Sequence, residues 1–342
     1  MVLDPLNFSA SINHNNIMSQ SMSATLYRGQ RVALIVPCYN EDPTIADVIR
    51  DFRVAMPCID IYVFDNMSSD RTAEFARAQH AKVRTVTRRG KGNVVRRMFA
   101  DTEADVYVMV DGDGTYDASS VCRMVDKLLD DGLDMVVGCR ETSVEEAQAA
   151  YRRGHQWGNR MLTGSVKGIF GGDFNDMLSG YRAFSRRYAK SFPALSRGFE
   201  IETELTVHAL ELRMPYGELM TPYGSRPEGS ASKLSTYRDG WRILKTIIRL
   251  HASERPIAFF GAWAATLSIA ALVLAFPLLV QYLEAGNVPR LPTAVLSASL
   301  MLMAMLALTC GLILQNITQG RHEMKCLAFL GIPATRVDAA EQ

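Results

Sequence analysis

VYVMVDGDGTYD, residues 106–117, sets a run of β-formers, Val106 to Val110, against three carboxylates, Asp111, Asp113 and Asp117. A short, uninterrupted apolar run reads as a strand buried on both faces, the habit of parallel sheets. Acidic groups at its end then sit where ligands of open α/β sheets bind, beyond the carboxyl ends of the strands. Asp111 and Asp113, one residue apart in an extended loop, can both turn toward one pocket. Gly112 and Gly114 permit a tight backbone path and close approach of a ligand. Two hard oxygen donors with open positions left over suit Mg²⁺ or Mn²⁺ bridging a diphosphate, which would neutralise a phosphate leaving group.

The alternation spreads outward from this stretch. Apolar runs of strand length occur at Val32–Val36, Ile59–Phe64, Val83–Val86, Val106–Val110 and Met135–Val137. Helix-like segments lie between them at Pro43–Ala55, Asp70–Gln79, Gly92–Asp101 and Ala118–Asp130. This pattern predicts an α/β fold with a mostly parallel sheet and helices on both faces. Asp42 with Pro43 is expected to cap the first helix, and Asp70 the next. Ala147–Gly171 reads as a long basic and apolar helix, Leu178–Ser185 as extended and Phe199–Arg213 as helix. Residues 215–235, rich in Gly, Pro and Ser, read as a loop.

The C-terminal part changes character. Ile257–Leu283 and Leu291–Gly320 carry no charge, and each exceeds the roughly 20 residues that cross a bilayer. Joined by EAGNVPR (284–290), they predict a two-helix transmembrane hairpin with spans at about 257–283 and 292–317. Arg242, Lys245, Arg249 and Arg255 precede it, and Arg321 and Lys325 follow. By the positive-inside rule both termini and the N-terminal domain face the cytoplasm, at a plasma or inner membrane. Trp241, Leu244, Ile247 and Ile248, spaced as on a helix among basic residues, suit a juxtamembrane helix in contact with membrane lipids. The expected organisation is a disordered polar leader (1–30), a catalytic domain (31–235), the juxtamembrane helix (236–256), the hairpin (257–320) and a cytoplasmic tail (321–342).

Bulk properties exclude several classes. Net charge is +1, so the global basic field of a nucleic-acid binder is absent. The six cysteines form no CxxC pair and the six histidines no cluster, which argues against a zinc site and a disulfide framework. Residues 1–30 lack the apolar core of a signal peptide.

Three strand ends carry polar signatures: Pro37-Cys38-Tyr39-Asn40-Glu41, Asp65 through Thr72, and Asp111-Gly112-Asp113. In this order they resemble the nucleotide-sugar-binding half of glycosyltransferase family 2, with its GT-A fold: PxYNE, D-x-x-S-x-D-x-T and D-x-D. Arg89 through Asn93 looks like the family's G-K-G segment, where Lys91 and a helix N-terminus can meet phosphate. Asp176 through Arg182 (DMLSGYR) resembles the D-x-x-S-G-[FY]-R segment of the polyprenyl-phosphate branch. Arg226 through Lys233 (RPEGSASK) resembles that branch's basic segment ending in Ser232-Lys233. With the hairpin, the likeness covers about residues 31–320. Thr115 stands where some relatives carry a metal-holding Gln, and His155 through Arg160 does not fit the Q-x-x-R-W signature of processive polymerases.

The resemblance implies an inverting, metal-dependent transfer of one sugar from a UDP- or GDP-sugar to polyprenyl phosphate. Pro37, Tyr39, Glu41, Asp65, Lys91, Asp111 and Gly112 would bind the nucleotide-sugar, and Asp111 and Asp113 the metal. Asp113, Asp176 and Arg182 would serve catalysis, Asp176 as a base or as the group that orients the sugar. Arg140, Ser179, Arg182, Arg226, Ser232 and Lys233 would hold the acceptor phosphate. The rival within the fold sends the sugar to a lipid or glycan hydroxyl and needs Asp176 as a true base. A non-catalytic scaffold is opposed by the intact D-x-D, Asp176 and Lys233. Small-residue pairs such as Gly261 with Ala265 permit a homo-oligomer without requiring one.

Overall fold

A computed structural model describes residues 26–141, 163–172, 174–196, 198, 200–224, 241, 245, 248–288 and 290–334. Two compact units divide the chain: residues 1–159, 172–234 and 325–342 in one, 160–171 and 235–324 in the other.

The first unit is built on a seven-stranded sheet. Its strands are β1 (Val32–Cys38), β2 (Asp60–Asp65), β3 (Lys82–Thr85), β4 (Val106–Met109), β5 (Met135–Glu141), β6 (Arg182–Ser185) and β7 (Tyr216–Pro222), in the order β3-β2-β1-β4-β6-β5-β7. β1 pairs in parallel with β2 and β4, and β2 with β3. β6 runs antiparallel to both neighbours, β4 and β5, so the sheet is mixed. β7 pairs in parallel with β5 over Tyr216–Pro222, where the sequence predicts a loop. Gly217 and Pro222 disguise it, and its exposed residues show that it is an edge strand, where Pro is tolerated.

Helices α1 (Ile45–Ala55) and α4 (Val121–Asp130) cover one face. Ile45, Val48, Ile49 and Phe52 recur at i, i+3, i+4 and i+7, and with Val121, Val125 and Leu128 they pack on Val32, Leu34 and Val36 of β1. α2 (Thr72–Ala78) follows β2, and α3 (Lys91–Asp101) lies against the opposite face. There Phe99 of α3 meets Tyr107 of β4, Phe184 of β6 and Phe192 edge-on. α5 (Arg186–Ser191) and α6 (Ile201–Glu211) complete the unit.

Asp42 does not cap the first helix. The Thr44 and Ile45 amides turn onto Glu41 O at 3.1 and 3.0 Å, and α1 begins two residues after Pro43. Asp70 is not the N-cap of α2, a position held by Arg71, but one residue earlier it accepts from Thr72 N at 3.0 Å and Thr72 Oγ1 at 2.5 Å. Residues 27–30, expected to be disordered, form a turn closed between Tyr27 and Gln30. Arg28 pins that turn to α4 through Asp126 and Asp130. Extended backbone in 178–185 is confined to Arg182–Ser185. The long helix expected at 147–171 and the 236–240 start of the juxtamembrane helix lie largely outside the described residues.

The second unit contains α7 (Pro256–Ala285) and the 291–324 part of α8 (Leu291–Leu330). Both helices are long and apolar enough to cross a membrane. Beyond Pro256, their buried positions recur every seven residues: Ala264, Ala271 and Leu278 on α7, and Ser297, Ala304, Gly311 and Thr318 on α8. Small residues on this seam let the helices approach closely, and Ser297 Oγ donates to Ala271 O at 2.9 Å. Gly261 is not on the seam: a Cβ there would meet nothing. Outward residues such as Trp263, Phe276 and Leu306 are more than half exposed, as lipid-facing side chains would be.

Candidate active site

The carboxyl ends of β1, β2 and β4 lie side by side, with Cys38 in register with Asp65 and Ile35 with Met109. The loops after β1 and β2 are laced together. Asn40 N donates to Ser68 Oγ at 3.0 Å, Ser69 N to Asn40 Oδ1 at 2.8 Å and Glu41 N to Thr72 Oγ1 at 2.9 Å. Pro37, Tyr39 and Glu41 are half-buried along this edge, and the Arg89 guanidinium lies 5.6 Å from the Tyr39 ring. Asp65 is buried and accepts from Ser68 N at 3.3 Å. Asn66 fixes the next loop from three sides. Its Nδ2 donates to Val86 O and Arg88 O at 2.9 and 2.8 Å, and its Oδ1 accepts from Gly90 N at 2.8 Å. That holds Lys91 at the start of α3.

The D-x-D turn follows β4. Gly112 is required there by close approach, since a Cβ would lie 2.8 Å from Cys38 Sγ. Its carbonyl accepts from Thr44 Oγ1 at 2.6 Å. Asp113 is buried, and its Oδ1 accepts from Thr115 Oγ1 at 2.6 Å and Thr115 N at 3.3 Å. Asp111 is more open, with its side chain 28% exposed, and its Oδ1 accepts from Lys91 Nζ at 2.6 Å. The same ammonium donates to Glu202 Oε1 of α6, also at 2.6 Å. Burial alone would lower the pKa of Lys91, but the two carboxylates outweigh it and hold the ammonium well above the ordinary lysine value. Asp111 and Asp113 together offer an acidic, oxygen-only donor set that fits a hard divalent cation.

The DMLSGYR segment closes the site from the β6 side. Gly180 packs on Asp111, so that a Cβ at 180 would lie 2.5 Å from Asp111 Oδ2. The Gly180 amide donates to Tyr116 Oη at 2.9 Å. Asp176 accepts two bonds from Arg140, from Nε at 2.7 Å and Nη2 at 2.8 Å. Burial would raise the Asp176 pKa, yet the Arg140 hydrogen bonds and charge prevail and hold it below the usual carboxylate range. Arg140 also lies 5.5 Å from the Tyr223 ring, and Tyr223 touches Tyr116.

Two expected acceptor groups are placed otherwise. Arg182 is 0% exposed: its Nε donates to Ser179 O at 2.9 Å, Nη1 to Thr206 Oγ1 at 3.0 Å, and Nη2 to Met177 O. It clamps the 176–181 turn from within, with no surface open to solvent. Ser179 is equally buried, its hydroxyl donating to Gly138 O at 2.6 Å. Arg226, Ser232 and Lys233 lie outside the described residues.

Sequence reading missed Glu202, Tyr116, Tyr223 and Asn66. Glu202 had no local signal: its helix is buried along most of Ile201–Ala209 only once the chain is packed, and a carboxylate buried there needs a cationic partner.

This architecture and site define a nucleotide-sugar transferase fold, and the comparisons agree. Residues 33–192 match the profile described as Glycosyl transferase family 2. Glycosyltransferase AglJ of Haloferax volcanii is 37% identical over 232 residues, covering 68% of this chain and 75% of its own. A dolichyl-phosphate hexose transferase of the same organism is 27% identical over 68% of this chain and 98% of its own. Glucosyl-3-phosphoglycerate synthase of Mycobacterium tuberculosis, solved with Mn²⁺, UDP-glucose and phosphoglyceric acid, superposes with a TM-score of 0.53. It is 23% identical and covers 69% of this chain and 82% of its own, a likeness of fold. The chain belongs to glycosyltransferase family 2: it is a glycosyltransferase of GT-A fold that carries two apolar helices of membrane-spanning length.

Proposed function

We propose that this glycosyltransferase moves one sugar from a UDP- or GDP-sugar to a polyprenyl phosphate, with inversion, at the cytoplasmic face of the plasma or inner membrane. The observation that carries the choice of acceptor is the Arg140–Asp176 pair. A hydroxyl acceptor needs a general base whose pKa lies near the working pH. Asp176 is the carboxylate expected for that task, and Arg140 keeps it ionised and occupied, with its pKa depressed. A phosphate monoester is already anionic and needs no base. The name of the Haloferax dolichyl-phosphate hexose transferase supports the same acceptor class. A hairpin formed by α7 and α8 would keep the enzyme beside a lipid whose headgroup lies at the surface, raising its effective concentration.

In this reading Pro37, Tyr39, Glu41 and Asp65 line the nucleoside pocket. Asp111 and Asp113 hold Mg²⁺ or Mn²⁺, with Thr115 orienting Asp113 through its hydroxyl. The bound ion would neutralise the donor diphosphate as it leaves. An acceptor phosphate oxygen forms the new bond to the anomeric carbon as the bond to the diphosphate breaks, and the nucleoside diphosphate departs with the electron pair. Arg140, with Arg226, Ser232 and Lys233, supplies the positive charge that brings two anions together.

The test is a transfer assay in detergent with undecaprenyl phosphate, Mn²⁺ or Mg²⁺, and labelled UDP- and GDP-sugars one at a time. Butanol-extractable label that needs the metal and is lost in Asp113→Asn supports the reading. Slow metal-dependent donor hydrolysis without lipid product would overturn the acceptor and favour a hydroxyl.

A further inference from the structure

Lys91 lies between two carboxylates, and Glu202 is the one no motif announces. The ammonium lies 2.6 Å from Asp111 Oδ1 and 2.6 Å from Glu202 Oε1. The Glu202 side chain is 6% exposed, and its other oxygen, Oε2, is buried with no hydrogen-bond partner among the described residues. A buried carboxylate with an unsatisfied oxygen is costly to keep. Fastening α6 to α3 would be met as well by an apolar contact.

We propose that Glu202 is a positioning residue for the metal-binding carboxylates: as the second counter-ion of Lys91, it weakens the hold of the ammonium on Asp111 and so leaves Asp111 available to a divalent cation. This rests on the reading that Asp111 and Asp113 form the metal and donor site. An ammonium in contact with a carboxylate competes with any other cation for it. With Lys91 and Asp111 alone the pair would be neutral and self-contained. Glu202 restores one negative charge, and Asp113 adds a second, so the cluster as a whole matches a divalent ion. When a cation and a diphosphate arrive, Glu202 keeps Lys91 beside them as a further positive charge for the phosphates.

The test uses the full chain in detergent, and its first readout is Mn²⁺ affinity by electron paramagnetic resonance, without nucleotide or turnover. Glu202→Gln is expected to weaken Mn²⁺ binding roughly tenfold, since a full charge is lost beside the site. Lys91→Met is expected to tighten it, and the double variant to return toward wild type. Thermal melts accompany each. Unchanged Mn²⁺ affinity in Glu202→Gln with a lowered melting temperature overturns the proposal and leaves Glu202 a fastening group. Should Glu202→Gln fail to fold, Lys91→Met decides alone, and unchanged or weaker Mn²⁺ binding in it overturns the proposal. Wild-type protein that binds neither Mn²⁺ nor UDP with Mn²⁺ overturns the donor-site reading itself, and this proposal with it.

Discussion

The guanidinium of Arg140 grips the carboxylate of Asp176 at both oxygens, and the Arg140 amide adds a third bond to Oδ2 at 3.3 Å. With its pKa held below the usual range, Asp176 is ionised throughout the neutral region. Its contribution to stability is therefore complete above the unfolded carboxylate value, about pH 4, and is lost as pH falls through the lower folded value. No limb of the rate profile between pH 5 and 8 should belong to it. Asp176→Asn is expected to lower kcat no more than about tenfold, whereas loss of a general base costs about 10²–10⁴-fold. A kcat–pH profile of both proteins checks this.

Arg182 should behave as a core residue. Removing a guanidinium that ties Ser179 O, Thr206 Oγ1 and Met177 O leaves buried acceptors unpaired. Arg182→Met is expected to destabilise the protein by at least about 3 kcal/mol, at about 1–3 kcal/mol for each of the three groups stranded. Thermal or denaturant melts measure it. A stable variant with only weakened lipid-phosphate binding would return Arg182 to the acceptor site.

Gly180→Ala drives a methyl group against Asp111 Oδ2, at 2.5 Å before relaxation. The fold has room to survive this, since the neighbour is a side chain, but Asp111 must turn away. The expected result is a normal melt with kcat reduced about 10²-fold, the scale on which a small misplacement acts on a reaction rate. Steady-state transfer rates beside a thermal melt read it.

Thr115→Val removes the hydroxyl that donates to Asp113 Oδ1 at 2.6 Å. A hydrogen bond to a charged group contributes about 1.5–3 kcal/mol, so the Mn²⁺ needed for half-maximal activity should rise at least about tenfold. Chelation with EDTA should abolish transfer in wild type and variant alike, with recovery on adding metal back.

Much of this was legible in the chain because it depends on local chemistry. The run Val106–Val110 had to be a buried strand, and the acidic turn after it had to lie at the sheet edge. β7 was not legible, and β6 was legible only as extended chain within 178–185, not as an antiparallel strand between β4 and β5. β6 is four residues, RAFS, whose arginine turns inward against Thr206, a partner far away in sequence. β7 contains Gly and Pro that are harmless only at an edge. Glu202 looked like one acid among Glu200, Glu202 and Glu204 of a helix. Only tertiary packing separates the one that meets Lys91 from those that do not.

The antiparallel β6, wedged between β4 and β5, also bears on how the enzyme comes into being. As the chain leaves the ribosome, β1 to β4 can assemble, but the outer edge of β4 stays open until Arg182–Ser185 has been made. β5 is synthesised earlier yet has no place to dock before then. The pairing of β4 with β6 that brings Asp111 beside Gly180 must therefore wait for residues 182–185, and a nascent chain halted before residue 182 exposes an unpaired β4 edge.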